Sequence, residues 1–323
     1  MRKAIVSYPV FCCIFLFLCL IPAGCLDVKK ERPEALGARM TPKALQACPP
    51  DSLSAGIKRA METVVRPVIV ETDPADYFDG ADGAAVIYDP AGKCWQICNR
   101  ELALTRRSPC STFKIISSLI ALEHGILDPD DSLRPWGGEV FWNEDWNRDI
   151  DFSHAFSTSC VWYFREIVDG IGRELMQEEL NRLRYGNCDI SDWEGRVNTN
   201  NSNPALTGFW IESSLLISPK EQAEVMERIF GVHTEYSEET LERLKRVMLL
   251  PEWADGDILV YGKTGMGKAH GIVVDAWFTG FAKESNRRIY FCVYLGESNE
   301  HNVSSAMAKE TAIRIVTDYL RKE

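Results

Sequence analysis

The sequence has 323 residues, of which 46% are hydrophobic, and this length allows one large domain or two small ones with ample material for a core. Its formal net charge is −11, and no basic cluster stands out along the chain. Nucleic acid is therefore not expected as a partner.

The amino terminus has the features of an export signal. A short positive start is followed by an apolar run over Val10–Ile21 and by two small residues before Cys25. The run is too short for a transmembrane helix and has no charged stop after it, so we predict a signal peptide over residues 1–24. The residues before Cys25 resemble a lipobox, which predicts a lipid on Cys25, with simple secretion as the alternative. The expected location is periplasmic or cell-surface, with a membrane contact only through that lipid.

Residues 25–55 are charged and rich in proline, without a sustained period, which is typical of a flexible tail. A single domain is predicted over residues 56–323. Its hydrophobic patterns and turn signals predict one sheet covered by helices, with a mostly helical insertion, and so an α/β fold. The predicted strands are Ala84–Tyr88, Lys93–Cys98, Ile258–Lys263, Val273–Phe281 and Arg288–Leu295. The predicted helices are Ser111–His124, Val161–Val168, Arg173–Leu183, one beginning with a capping box at Ser218–Glu221, Ser237–Leu250 and Ser305–Leu320.

The cysteines permit disulfides without fixing their pairing. If the signal is removed and Cys25 carries a lipid, an odd number remain, so at least one thiol has no partner within the chain. Cys94 and Cys98 share one face of a predicted strand but lie about 13 Å apart, too far to bond each other. A zinc site is the alternative, but no second ligand pair lies near, and no metal is predicted. The remaining cysteines are Cys48, Cys94, Cys98, Cys110, Cys160, Cys188 and Cys292.

A serine and a lysine three residues apart, Ser111 and Lys114, begin the first predicted helix. This spacing places both side chains on one helix face, so the lysine nitrogen can reach the serine oxygen. A serine hydroxyl is a weak nucleophile until a base takes its proton, and a desolvated lysine can be that base. Taken alone, the pattern is more typical of a capping serine beside an exposed lysine.

Three later motifs favour a catalytic role for Ser111 and Lys114 over a helix cap. On an edge strand, Lys263 and Thr264 can hold a substrate carboxylate, and Gly265 lets the substrate backbone approach closely. Each motif alone is also typical of a helix cap, a turn or a strand end. Their joint presence in this order after an export signal favours a catalytic site over these structural roles. The motifs are Ser159-Cys160-Val161, Tyr185-Gly186-Asn187 and Lys263-Thr264-Gly265.

Together, S-x-x-K, S-x-V, Y-G-N and K-T-G resemble the motifs of class D β-lactamases, the oxacillinase family of the penicillin-binding-protein-like superfamily. The resemblance covers roughly residues 56–323 and includes the flanking stretches Trp146–Asp149, Phe209–Glu212 and Ala276–Gly280. It implies an antiparallel sheet flanked by helices plus a mostly helical subdomain. It also implies hydrolysis of the β-lactam ring of penicillin-type antibiotics, and so antibiotic resistance. The substrate preference and the oligomeric state remain open.

The resemblance also implies a role for each motif residue. Ser111 attacks the lactam carbonyl, and an N-carboxylated Lys114 is the base for both acylation and deacylation. No cofactor is implied beyond the carbon dioxide or bicarbonate that carboxylates the lysine. Ser159 and Lys263 relay a proton, and the Trp210 indole N–H supports the carbamate. The implied substrate-binding residues are Tyr185, Asn187, Thr264, Gly265, Met266 and Lys309, with the Ser111 and Met266 amides forming an oxyanion hole.

Val161 is the most diagnostic residue for the class, because penicillin-binding proteins and class A enzymes have asparagine at its position. A valine makes the lysine pocket apolar, which disfavours the ammonium form and favours the neutral amine that captures carbon dioxide. Three residues depart from the family pattern. Cys110 and Cys160 replace small or aliphatic residues, either as buried apolar fillers or as groups that respond to thiol reagents. Lys309 replaces an arginine, which keeps the charge but loses the bidentate fork.

Three other functions share these motifs. A β-lactam receptor domain is acylated without turnover, but such sensors belong to multi-span membrane proteins, and no such region is seen in the sequence. A transpeptidase or carboxypeptidase is disfavoured by Val161, and an inactive homologue by the presence of every motif residue. The scattered histidines and the lack of a G-x-S-x-G elbow argue against metallo-β-lactamases and α/β-hydrolases.

Overall fold

The computed structural model describes residues 67–73, 75–78, 80–199, 201–251, 257–296 and 302–322. The predicted signal peptide, the lipid site at Cys25 and the tail over residues 25–55 lie outside the described residues. None of the helices in the described ranges is long and apolar enough to cross a membrane.

A six-stranded sheet forms the centre of the fold, in the order β1-β3-β2-β6-β5-β4. β1 pairs with β3 in parallel, and every other neighbouring pair is antiparallel. The predicted α/β class, a sheet flanked by helices, is confirmed, and β1 makes the sheet mixed. The strands are β1 Val68–Thr72, β2 Gly83–Asp89, β3 Cys94–Cys98, β4 Ile258–Ala269, β5 Ile272–Glu284 and β6 Arg287–Gly296.

The helices follow the predicted order, with added short segments that were not predicted. The capping box is confirmed: the Ser218 hydroxyl accepts from the Glu221 amide, and the Glu221 carboxylate accepts from the Ser218 amide. The helix predicted over Ser111–His124 begins instead as a 3₁₀ turn at Cys110–Phe113. The helices are α1 Ala75–Phe78, α2 Arg100–Leu104, α3 Lys114–Glu123, α4 Phe152–Ser157, α5 Val161–Ile171, α6 Arg173–Leu183, α7 Pro219–Phe230, α8 Glu238–Met248 and α9 Ser305–Arg321.

Both faces of the sheet are covered. On one face, Phe278 and Phe291 pack with Val316 of α9, and on the other Trp277 and Phe281 join the core of the helical region. Strands buried on both faces lose the polar-apolar alternation, which explains the continuous apolar runs of β5 and β6. β4 lies at the end of the strand order, and the 3₁₀ turn of the helical region packs against it. This contact places the serine motif beside the lysine motif.

Candidate active site

A 3₁₀ turn over Cys110–Phe113, the serine turn, holds Ser111 at the start of α3. Cys110 has φ 48°, a left-handed conformation that non-glycine residues rarely adopt. Its amide donates to the Trp210 carbonyl oxygen at 2.9 Å, which fixes this conformation from the loop opposite. The serine turn is therefore held by tertiary contacts as well as by its own helical bonds.

Gly265 allows β4 to approach the serine turn. A Cβ atom at this position would lie 3.0 Å from both the Pro109 carbonyl oxygen and the Thr112 Cγ2 atom. A side chain would push the strand away from the turn. The sequence reasoning attributed this glycine to the approach of substrate, whereas the structure shows that packing of the turn on the strand requires it.

Lys114 and Ser111 meet as the spacing predicts. The Lys114 ammonium nitrogen lies 2.8 Å from the Ser111 hydroxyl oxygen and 5.2 Å from the centre of the Phe164 ring. The lysine is 1% exposed, and none of the described carboxylates pairs with it. Burial lowers the pKa of Lys114 to about 8, against smaller opposing effects of the Cys160 and Cys110 thiols. A much larger fraction of this lysine is therefore neutral at physiological pH than of a solvated one.

Lys263 is a second buried cation in the same region. Its ammonium donates to the Thr264 hydroxyl oxygen at 3.2 Å and lies 5.7 Å from the centre of the Phe156 ring. Burial lowers the pKa of Lys263 well below its usual value, and repulsion from Lys114 and Lys309 lowers it further. The structure thus brings three lysines from α3, β4 and α9 together, where a substrate anion would relieve their repulsion.

The second serine motif lies at the start of α5. Ser159 has φ 59°, a strained conformation that must be held by its surroundings, and Cys160 caps the helix. Burial raises the pKa of the Cys160 thiol to about 11 and that of Cys110 well above its usual value. Both thiols are free and buried. Burial agrees with the prediction of apolar fillers, although the Cys110 thiol also contacts polar side chains.

A cavity of about 220 Å³ opens above the serine turn. Three predicted site residues line it: Ser111, Val161 and Met266. Trp142 and Glu212, which the sequence reasoning did not assign, line it as well. A nucleophile at the wall of a partly apolar cavity is the usual arrangement of a small-molecule site.

Tyr185 and Asn187 do not face this cavity. Tyr185 is fully buried, with its ring edge-on to Phe113 at 5.6 Å. The Asn187 side chain donates to the Ser214 carbonyl oxygen at 2.8 Å and accepts from the Leu216 amide at 2.9 Å. The Y-G-N motif therefore supports the loop behind the serine turn, and this geometry replaces the predicted substrate contact with a positioning role.

Trp210 connects the same loop to the serine turn. Its ring stacks on Phe113 with centroids 5.9 Å apart and is 1% exposed. A Cβ atom at Gly208 would lie 2.2 Å from the ring, so the glycine makes room for it. Trp210 is thus a packed core residue as well as the backbone partner of Cys110.

Glu212 is an ionisable residue of this cavity that the sequence did not indicate. Burial raises the pKa of its carboxyl to about 7, and the nearby Asp275 carboxylate adds to this effect. The Cys110 thiol donates to Glu212 Oε1 at 3.3 Å. Asp275 lies on a distant strand, so no local pattern could have indicated the pair. Elsewhere in the described part of the chain, no three His, Cys, Asp or Glu side chains come together as a metal site requires.

The family model of the penicillin binding protein transpeptidase domain matches residues 83–317. The chain belongs to this family. The regulatory protein BlaR1 of Bacillus licheniformis is 30% identical over 246 residues, which cover 76% of this chain and 38% of that protein. This chain therefore spans less than half of that relative.

Solved structures agree with the family. The C-terminal domain of the Bacillus licheniformis BlaR penicillin-receptor has a TM-score of 0.69 at 28% identity, covering 80% of this chain and 98% of that one. A class D β-lactamase from Bacillus subtilis has a TM-score of 0.64 at 29% identity, covering 76% of this chain and 94% of that one. The predicted resemblance is confirmed: this chain has the β-lactamase and penicillin-binding fold, and its homologues include class D β-lactamases.

Proposed function

We propose that this protein is a class D β-lactamase that hydrolyses penicillin-type antibiotics through an acyl-enzyme on Ser111. The contact that carries the proposal is the 2.8 Å separation between Lys114 Nζ and Ser111 Oγ. It joins a nucleophile to a lysine whose pKa burial has lowered to about 8. A lysine with this pKa is partly neutral at physiological pH, and the neutral amine is the form that captures carbon dioxide.

In the proposed reaction, neutral Lys114 first attacks dissolved carbon dioxide. A C–N bond forms and a proton leaves, giving the carbamate. The lack of a carboxylate partner at Lys114 among the described residues supports this step, because no neighbouring anion stabilises the ammonium. The Trp210 indole N–H is proposed to donate to the carbamate.

The carbamate then takes the Ser111 proton as Ser111 Oγ bonds to the lactam carbonyl carbon. The Ser111 and Met266 amides stabilise the oxyanion. The lactam C–N bond breaks, and Ser159 and Lys263 relay the proton that the carbamate took from Ser111 to the departing nitrogen. The carbamate can then accept a proton again. Lys263 and Lys309, together with Thr264, hold the substrate carboxylate.

In the second half-reaction, the same carbamate takes a proton from water as the water oxygen bonds to the acyl carbonyl carbon. The ester C–O bond then breaks, and the carbamate returns the proton to Ser111 Oγ. This step separates a hydrolase from a protein that stays acylated. We also propose that the protein acts outside the cytoplasm, on the strength of the signal pattern over residues 1–24, with Cys25 carrying a lipid.

The proposal is tested by hydrolysis time courses with benzylpenicillin, oxacillin and a carbapenem, run with and without bicarbonate. We expect turnover of the penicillins. After carbon dioxide is removed at mildly acidic pH, the time course should be biphasic, and bicarbonate should restore it. A steady turnover rate that does not change with bicarbonate would contradict carboxylation of Lys114. A lack of turnover in every condition would contradict the proposal that the protein is a hydrolase.

The second candidate function is a penicillin sensor that is acylated without turnover. The likeness of the whole domain to the BlaR penicillin-receptor favours it. Intact-protein mass spectrometry distinguishes the two. An adduct that decays as hydrolysed product accumulates supports the hydrolase, and an adduct that persists for hours supports the sensor.

A further inference from the structure

Glu212 holds a carboxylate against the strand that borders the nucleophile. A Cβ atom at Gly267 would lie only 1.7 Å from Glu212 Oε1, so this glycine on β4 is what lets the carboxylate reach the strand. The Glu212 backbone has φ 50°, and its amide donates to the Ser108 hydroxyl oxygen at 2.8 Å. This hydrogen bond holds the rare backbone conformation from which Glu212 lines the cavity.

Among the described residues, the surroundings of this carboxylate provide no ion-pair partner. Its side chain accepts one hydrogen bond, from the buried Cys110 thiol, and among the described residues no Lys or Arg forms an ion pair with it. Burial raises the pKa of Glu212, and the Asp275 carboxylate raises it further, since Asp275 is itself buried and its charge has the same sign. Lys268 lines the cavity but is exposed at its rim. A cation arriving in the cavity would relieve both the burial cost and the repulsion from Asp275.

We propose that Glu212 determines specificity, by accepting a hydrogen bond from β-lactams whose acyl side chain carries an ammonium group. This inference rests on the proposed function. The acyl side chain of a penicillin is attached next to the carbonyl carbon that Ser111 attacks. Since Ser111 and Glu212 line one cavity of about 220 Å³, a substituent beside the reacting carbonyl lies in the same space as the carboxylate. An ammonium-carboxylate hydrogen bond is stronger than a neutral one, so the preference is measurable.

The test compares benzylpenicillin with its analogue that carries an amino group on the benzylic carbon. The measured quantity is the ratio of kcat/KM for the amino substrate to kcat/KM for the neutral one. In Glu212→Gln this ratio should fall about tenfold, because the variant keeps the shape and removes the charge. Glu194→Gln is the matched control: Glu194 is an exposed carboxylate in the same loop, paired with Arg165 at 3.4 Å. Its ratio should equal that of the wild type.

The outcomes separate this inference from the proposed function. If both substrates react and Glu212→Gln leaves the ratio unchanged, Glu212 has no part in specificity, although the hydrolase stands. The same holds if Glu194→Gln lowers the ratio equally, since the effect would then come from general surface charge. If the wild type neither hydrolyses nor forms an adduct with either substrate, the proposed function itself is wrong. Thermal unfolding midpoints of the variants show whether each is folded.

Discussion

Asp89 and Lys114 are both buried ionisable residues, and their surroundings are opposite. Asp89 is fully buried, and its carboxylate accepts from the Ala91 and Gly92 amides, from Arg287 at 2.5 Å and from Tyr319 at 3.1 Å. Burial alone would raise the pKa of Asp89, but the hydrogen bonds from Arg287 and the Gly92 amide outweigh it and lower the pKa below its usual value.

Lys114 has no such compensation. The group in contact with its ammonium is the Ser111 hydroxyl, and burial lowers its pKa to about 8. The difference shows how one fold handles buried charge in two ways. At Asp89, every hydrogen bond stabilises the ionised form, which contributes stability. At Lys114, none of the described carboxylates offsets the cost of burying the ionised form, so the neutral amine is favoured.

The largest effect is expected when the Ser111 hydroxyl is removed. Ser111→Ala should abolish both the acyl adduct and turnover, because among the described residues no other hydroxyl or thiol is in hydrogen-bond contact with Lys114 Nζ. Intact-protein mass spectrometry after mixing with benzylpenicillin should show one adduct in the wild type and none in the variant. Ser157→Ala, at an exposed serine of α4, is the control and should form the adduct normally. A persistent adduct in Ser111→Ala would rule out Ser111 as the nucleophile.

A smaller effect is expected when Val161, which lines the same cavity as Ser111, is made acidic. Val161→Asp should disfavour a second anion on Lys114, because like charges at low effective dielectric repel strongly. Acylation should slow and the acyl-enzyme should accumulate, with deacylation reduced about 10²-fold or more, the usual contribution of a general base. Single-turnover kinetics measure both rates. Val140→Asp adds the same charge at an exposed position and should retain wild-type rates. Full turnover in Val161→Asp would contradict the placement of Val161 at the lysine pocket.

The smallest effect on activity is expected at Asp89, whose carboxylate has several hydrogen-bond donors. Asp89→Asn should lower the free energy of unfolding by about 3 kcal/mol, at the low end for a broken buried pair because Arg287 keeps some access to water. Denaturant unfolding measures this change, and Asp130→Asn, at an exposed carboxylate, should leave stability unchanged. The turnover number of folded Asp89→Asn should remain that of the wild type. A loss of turnover without a loss of stability would contradict the structural role.

The ion pair between Asp89 and Arg287 also predicts a dependence of stability on pH. The pKa of Asp89 is lowered on folding from the ordinary value of 3.8, so its ionised form contributes stability that is complete above that value. The contribution is lost as pH falls through the still lower pKa of the folded state. The stability difference between wild type and Asp89→Asn should therefore be full at pH 7 and shrink below about pH 4.

Local spacing allowed much of the site to be predicted. Ser111 and Lys114 are one turn apart, and Ser218 and Glu221 form a capping box, so each pair depends on neighbouring residues alone. The position of Lys263 on an edge strand also follows from its strand pattern. In contrast, β1 was missed because its side chains Val68 and Ile69 are exposed and no burial pattern marks the strand.

Contacts between distant segments could not be predicted in the same way. The pKa of Glu212 depends on Asp275, and the backbone conformation of Cys110 depends on a hydrogen bond to Trp210. Tyr185 and Asn187 were predicted to bind substrate, but neither side chain faces the cavity. Only the folded structure shows that the Asn187 side chain hydrogen-bonds to the backbone of Ser214 and Leu216 behind the serine turn.

Carbon-13 NMR with labelled bicarbonate tests most directly whether the uncompensated burial of Lys114 makes it a carboxylated base. The wild type should give a carbamate signal that is absent in Lys114→Ala. The signal should grow as pH rises through about 8, because the neutral amine that captures carbon dioxide becomes more populated there. Identical spectra from the wild type and Lys114→Ala at every pH would contradict the account.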